Sequence, residues 1–340
     1  MTIAVAVSGG MDSLLALALL REAGHAVLAL HAHFLAPDGR QRLLAQALDG
    51  LCRDIGVPFH AVDLSARFRQ QVIAPFVHAY VSGLTPNPCA GCNRDMKFGL
   101  LFEEAARLGA DRIATGHYAR LKEAGELIRG ADPAKDQSYF LTLTPPQALA
   151  RAVFPLGEWR KADVPAALAA RGLAPPLPSE SQEICFIPGD DYRAFLEAQG
   201  VALPGEGPVV LPDGREIGRH QGLWRYTIGQ RKGIGIAWSE PLYVLDKRAD
   251  ENALVVGPKS GLDALDCRVR RMNFLVPPGD WPSTVLAQTC YRQRPRPARA
   301  QISGAEMTLV FESPVPKPTP GQVAAVFDGD GRALAGGIIT

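Results

Sequence analysis

Apolar residues open the chain in short bursts punctuated by glycine. Residues 3–7 are an apolar run ending at Ser8-Gly9-Gly10, residues 12–23 have helical composition and stop at Gly24, and 26–30 form a second apolar run. The rhythm continues with a helix over 40–55 ended by Gly56, a strand over 58–64, a helix over 98–108 closed by Gly109 and a strand over 112–115. Such β-α-β-α alternation with short apolar strands predicts a mostly parallel sheet covered on both faces. Ligands of these sheets bind beyond the carboxyl ends of strands, where Ser8-Gly9-Gly10 and Gly116-His117 fall.

Near residue 200 the pattern changes. Leu203-Pro204-Gly205-Glu206-Gly207-Pro208 reads as a linker. Short strand-like pieces follow at 209–211, 243–245, 254–256, 268–269 and 323–327, separated by turn signals, which suits small β-rich domains or a barrel. The proline clusters at 277–278 and 314–320 read as loops. The expected division is 1–200, 201–262 and 263–340.

Composition adds limits. The chain has 340 residues, enough for two or three domains. The longest early apolar run, 14–20, is far below the roughly 20 residues of a membrane helix. No basic segment precedes it, so a signal peptide is not expected, and the protein reads as cytoplasmic with no membrane partner. In that compartment the six cysteines are expected reduced, catalytic or metal-bound. Net charge is only +1, but Arg268, Arg270, Arg271, Arg292, Arg294, Arg296 and Arg299 share their stretch with one acid, Asp280. A basic second half suits phosphate contacts, and equally a solvated face.

Two segments carry chemistry. In Ser8-Gly9-Gly10-Met11-Asp12-Ser13 the glycines let backbone approach a ligand, the following helix offers free N–H groups, and Ser8 and Ser13 add hydroxyls. It is neither a P-loop nor a dinucleotide fingerprint. It resembles the pyrophosphate-binding loop of the N-type ATP pyrophosphatases, which split ATP to AMP and pyrophosphate. There Asp12 would hold Mg²⁺ or orient phosphates, and Gly116 would admit adenine or ribose. The second segment, Thr85-Pro86-Asn87-Pro88-Cys89-Ala90-Gly91-Cys92-Asn93, is a proline-stiffened C-x-x-C, with a third cysteine at Cys185. With no second C-x-x-C, three thiolates fit a [4Fe–4S] cluster with an open iron, or a sulfur-relay pair plus one.

With these strings, Lys97-Phe98, Ala114-Thr115-Gly116-His117-Tyr118-Ala119, Lys135-Asp136-Gln137-Ser138-Tyr139-Phe140-Leu141, Ile184-Cys185-Phe186-Ile187, Gly229-Gln230-Arg231-Lys232-Gly233 and Gly336-Gly337-Ile338-Ile339 resemble, in order and nearly end to end, the tRNA-specific 2-thiouridylases. The resemblance implies an α/β ATP pyrophosphatase domain of the adenine nucleotide alpha hydrolase type, a small central domain and a C-terminal β-barrel that grips tRNA. It implies ATP and Mg²⁺ at Ala6, Val7, Ser8, Gly9, Gly10, Met11, Asp12, Ser13, Ala32 and Gly116. ATP would adenylate the C2 oxygen of the wobble uridine; sulfur would arrive as a persulfide on Cys185, the second catalytic cysteine, with Cys92 as the other. His117, Lys135, Asp136, Gln137, Tyr291, Arg292 and Gln322 would contact the tRNA anticodon stem-loop. The sulfur donor would be a cysteine desulfurase or a sulfur-relay protein.

Two departures stand out. Many family members have Asp where this chain has Cys89, and related tRNA sulfur-transfer enzymes hold a [4Fe–4S] cluster with three cysteines. Cluster ligation by Cys89, Cys92 and Cys185 therefore stands beside the persulfide route. Ser179-Glu180 replaces a frequent Lys-Asp. Two other functions remain open: an amide-forming ATP pyrophosphatase, which needs neither paired cysteines nor a basic half, and a non-catalytic RNA binder, which needs neither the glycine turn nor the thiols.

Overall fold

The computed structural model describes residues 1–122, 125–177 and 184–340; Ser179 and Glu180 lie outside them. The first sheet is parallel, in the order β3-β2-β1-β4-β7. Its strands are β1 (Thr2–Ala6), β2 (Ala26–His33), β3 (Phe59–Asp63), β4 (Arg112–Ala114) and β7 (Ala152–Val153), with a hairpin, β5 (Ala119–Leu121) and β6 (Leu127–Arg129), between the last two. Because β1 and β4 are neighbours, the turns after them lie side by side. Helix α1 (Met11–Glu22) buries Leu14 and Leu15 toward the segment Val164–Ala169, and Ala16, Leu17 and Leu20 toward the sheet. Each such leucine contributes about 1.5–3 kcal/mol by leaving water. This two-sided burial explains why α1 is apolar all round. Helix α2 (Gly39–Asp54), capped by Asp38 on Gln41 N, buries only Leu48 and Cys52.

The expected helix over 98–108 is longer and irregular. It starts as the short helix Pro88–Cys92, continues as a π-helical stretch Asn93–Leu100 and becomes α-helical at Leu101–Arg107. Widened turns of this kind concentrate at functional sites.

The second half is β-rich, as its turn signals predict. Strands β8 (Gly207–Val210), β9 (Glu216–His220), β10 (Tyr243–Arg248) and β11 (Ala253–Gly257) form a sheet ordered β10-β11-β8-β9 around Val209, Val244, Leu254 and Val256. Strands β12 (Asp263–Phe274), β13 (Val285–Gln288), β14 (Arg296–Ser303), β15 (Glu306–Pro316), β16 (Val323–Phe327) and β17 (Ala333–Ile339) close a barrel. One expectation is corrected: the proline cluster at 314–320 begins inside a strand, since β15 runs to Pro316. The register shift opposite Ala264 and Asp266 accommodates it, because a bulge frees backbone that proline cannot pair. The seven arginines from Arg268 to Arg299 are all exposed. No described helix is long and apolar enough to cross a membrane.

Candidate functional site

The Ser8–Ser13 turn is built by its own side chains. Ser8 N donates to Ser13 Oγ (3.1 Å), and Ser13 Oγ donates to Gly10 O (3.0 Å). Ser13 is buried, so the hydroxyl expected to face phosphate closes the turn; that of Ser8 is exposed. Gly9 has φ +90°, which only glycine adopts cheaply. Val7 O is held by the His31 ring (2.8 Å), and burial lowers the His31 pKa. Ala6, Met11 and Ala32 are half-buried around the turn.

Asp12, at the start of α1, accepts at Oδ1 from Tyr118 Oη (2.7 Å) and Lys161 Nζ (2.6 Å). Both partners escaped sequence reasoning, since nothing local ties residues 118 and 161 to the turn. Gly116 does serve a close approach, but to protein: a Cβ there would lie 2.8 Å from Asp12 C and 2.9 Å from Asp12 Cβ.

The cysteine segment is positioned by its sequence. Asn87 Oδ1 accepts from Ala90 N (3.2 Å) and Pro88 fills the first helical position, as a capped N-terminus requires. Cys92 is buried, Cys89 half-buried and Cys185 exposed, and all three thiols are free. They are near enough to influence one another's ionisation. Burial, then Lys97 and then the Cys185 and Cys89 thiols act on Cys92; the net result is a pKa of about 12. Burial pushes Cys89 up to about 11. Cys185 is raised too, by desolvation, with Lys97 opposing. Lys97 favours all three thiolates, and sequence reasoning gave it no role. Its Nζ lies 3.4 Å from His117 Nε2, while His117 Nδ1 meets Thr115 Oγ1 at 2.6 Å. His117 is thus buried rather than on a face open to RNA, and burial followed by Lys97 lowers its pKa well below the usual histidine range.

Among the described residues no three of His, Cys, Asp or Glu stand at metal-ligand spacing. Cys89, Cys92 and Cys185 would have to draw together to hold a [4Fe–4S] cluster. The turn is tied to a distant stretch of main chain: Leu177 N donates to Gly9 O (2.9 Å), and Gly10 bridges to Leu177.

The expected tRNA contacts divide. Asp136 is buried and accepts from Arg129 Nε (2.7 Å), Gly130 N (2.9 Å), Ser138 N (3.0 Å) and Ser138 Oγ (3.0 Å). Gln137 Oε1 accepts from Tyr118 N (3.0 Å). Both are structural ties inside the first domain. Lys135 ends the turn that starts at Asp132. Tyr291 packs on Phe140 with ring centroids 4.4 Å apart, and exposed Arg292 reaches over the Tyr291 ring at 5.4 Å. Gln322 Nε2 donates to Thr85 O (2.8 Å) and Pro86 O (3.2 Å).

Residues 1–189 match the family model described as tRNA methyl transferase HUP domain, 193–258 that of the tRNA methyl transferase PRC-barrel domain, and 265–339 that of the aminomethyltransferase beta-barrel domain. Over its full length the chain is 58% identical to the tRNA-specific 2-thiouridylase MnmA of Oleidesulfovibrio alaskensis. It is 54% identical to the protein of that name from Nitratidesulfovibrio vulgaris strain Miyazaki F and 49% to that from Lawsonia intracellularis. Each match covers 100% of this chain and 99% of the relative.

Proposed function

The chain belongs to the tRNA-specific 2-thiouridylase family, and from that premise we propose how its residues divide the reaction. ATP with Mg²⁺ binds at the Ser8–Ser13 turn, with Ala6, Val7, Met11, Ala32 and Gly116 around it and Asp12 toward the cation. The wobble-uridine O2 attacks the α-phosphorus of ATP, pyrophosphate leaves, and the base carries AMP as a leaving group. The terminal sulfur of a persulfide on Cys185 then reaches C2 and AMP departs. Cys92 attacks the Cys185 sulfur, either to release hydrosulfide that attacks C2 or as the sulfur is transferred. In both cases a Cys92–Cys185 disulfide remains for an external thiol to reduce.

The observation that carries this reading is the grouping of an exposed and a buried cysteine around one cation, Lys97. An exposed Cys185 can be loaded by a sulfur donor such as a cysteine desulfurase or relay protein. A buried Cys92 is spared from solvent oxidants until its partner carries sulfur. The exposed arginines of the barrel, with Arg292, supply the salt-dependent hold on tRNA.

The test is nucleoside analysis of tRNA incubated with ATP, a sulfur source and wild-type, Cys89→Ala, Cys92→Ala or Cys185→Ala protein. Thiouridine should vanish for Cys92→Ala and Cys185→Ala while tRNA-dependent pyrophosphate release continues. Thiouridine persisting without Cys92 and Cys185 would overturn the assignment.

A further inference from the structure

The lead-in to the cysteine helix is held from two other parts of the molecule. Gln322 Nε2 has two hydrogens, and both are taken by main-chain oxygens of that segment, Thr85 O (2.8 Å) and Pro86 O (3.2 Å). Beside it, Thr85 N donates to Pro320 O (2.9 Å). Gly321 sits at φ +94°, and a Cβ there would stand 3.0 Å from Thr85 N, C and O, so the chains meet at a distance only glycine permits. From the central sheet, Lys247 on β10 donates to Tyr226 O (2.9 Å) and reaches Thr85 Oγ1 (3.4 Å). Burial depresses the Lys247 pKa to about 8, which is the signature of an ammonium taken out of water.

We propose that Gln322 and Lys247 are positioning residues that clamp Thr85-Pro86 and thereby set where Cys92 stands. Pro86 and Pro88 leave this segment little freedom, and Asn87 joins it to the helix by its cap, so a displacement at Thr85 is passed on to Cys92. Both donors of Gln322 are thus spent on protein. The central sheet and the barrel, the latter proposed to hold tRNA, both end on the loop that leads to the thiol. The inference rests on Cys92 being the catalytic cysteine proposed above.

The experiment follows Cys92 itself. Iodoacetamide labelling of tRNA-free protein, read by peptide mass spectrometry, is compared for wild type, Gln322→Ala and Lys247→Met, with buried Cys52 as internal reference. The kcat and KM for tRNA are measured alongside. Loss of the Gln322 bonds should raise Cys92 labelling by about tenfold, with Cys52 unchanged, and lower kcat while KM for tRNA holds. Lys247→Met should move the same readouts in the same direction. A raised KM with unaltered labelling and kcat would make Gln322 an RNA contact and overturn the clamp. An equal rise at Cys52 and Cys92 would mean general loosening and overturn it too. Thiolation surviving in Cys92→Ala would instead remove the functional reading, while the labelling still reports on the loop.

Discussion

Asp136→Asn separates a structural tie from an RNA contact. An asparagine keeps one oxygen for Gly130 N and Ser138 N, but turns an N–H toward Arg129, whose Nε sits 2.7 Å from the carboxylate. The Asp136 side chain is 5% exposed and that of Arg129 29%. Breaking one side of a buried pair costs about 3–5 kcal/mol. Partial exposure of Arg129 and its second bond to Gln288 Oε1 (2.8 Å) place the loss at the lower end, about 3 kcal/mol. With a urea slope near 3 kcal/mol/M, the midpoint should fall by about 1 M in a far-UV circular dichroism titration. Arg129 also lies over the Phe327 ring at 4.7 Å, so the loss should be felt where the first domain meets the barrel. A wild-type midpoint together with weakened tRNA binding would refute this reasoning and restore Asp136 to the RNA face.

Two further outcomes follow from the site. The Cys92 thiol is held up to about 12, chiefly by burial, so its thiolate fraction, and with it the alkylation rate, should climb about tenfold per pH unit between roughly pH 7 and 10 without levelling; a plateau below about pH 9 would mean that Lys97 outweighs burial. Gly116→Ala should force the first turn of α1 away, costing about 1–3 kcal/mol and raising KM for ATP in tRNA-dependent pyrophosphate release; an unchanged KM and unchanged stability would show that the backbone yields freely there.

The parallel sheet was legible because glycine marks the ends of its helices. Gly24, Gly56 and Gly109 all adopt positive φ after α1, α2 and Leu101–Arg107. Several barrel strands were hidden for a physical reason. In β14 Ala298, Ala300 and Ile302 alternate with exposed Arg299, Gln301 and Ser303, but two of the three inward residues are alanines, which give only a faint apolar signal. Features within one motif could be read from sequence, as with the glycine turn after β1. Lys161 and Tyr118 on Asp12 could not, because their meeting depends on tertiary packing. Asp136, Gln137 and Gln322 were placed on the RNA by resemblance, whereas their side chains here are hydrogen-bonded within the protein.

The short β-bridge at Gly10 and the hydrogen bond from Leu177 to Gly9 give two remote stretches of polypeptide a common seam. One stretch is the glycine turn proposed to take ATP, and the other is the segment that ends at Leu177. A substitution that reshapes the main chain at Leu177 is therefore expected to reach Gly9 and Gly10 with no side chain needed as messenger.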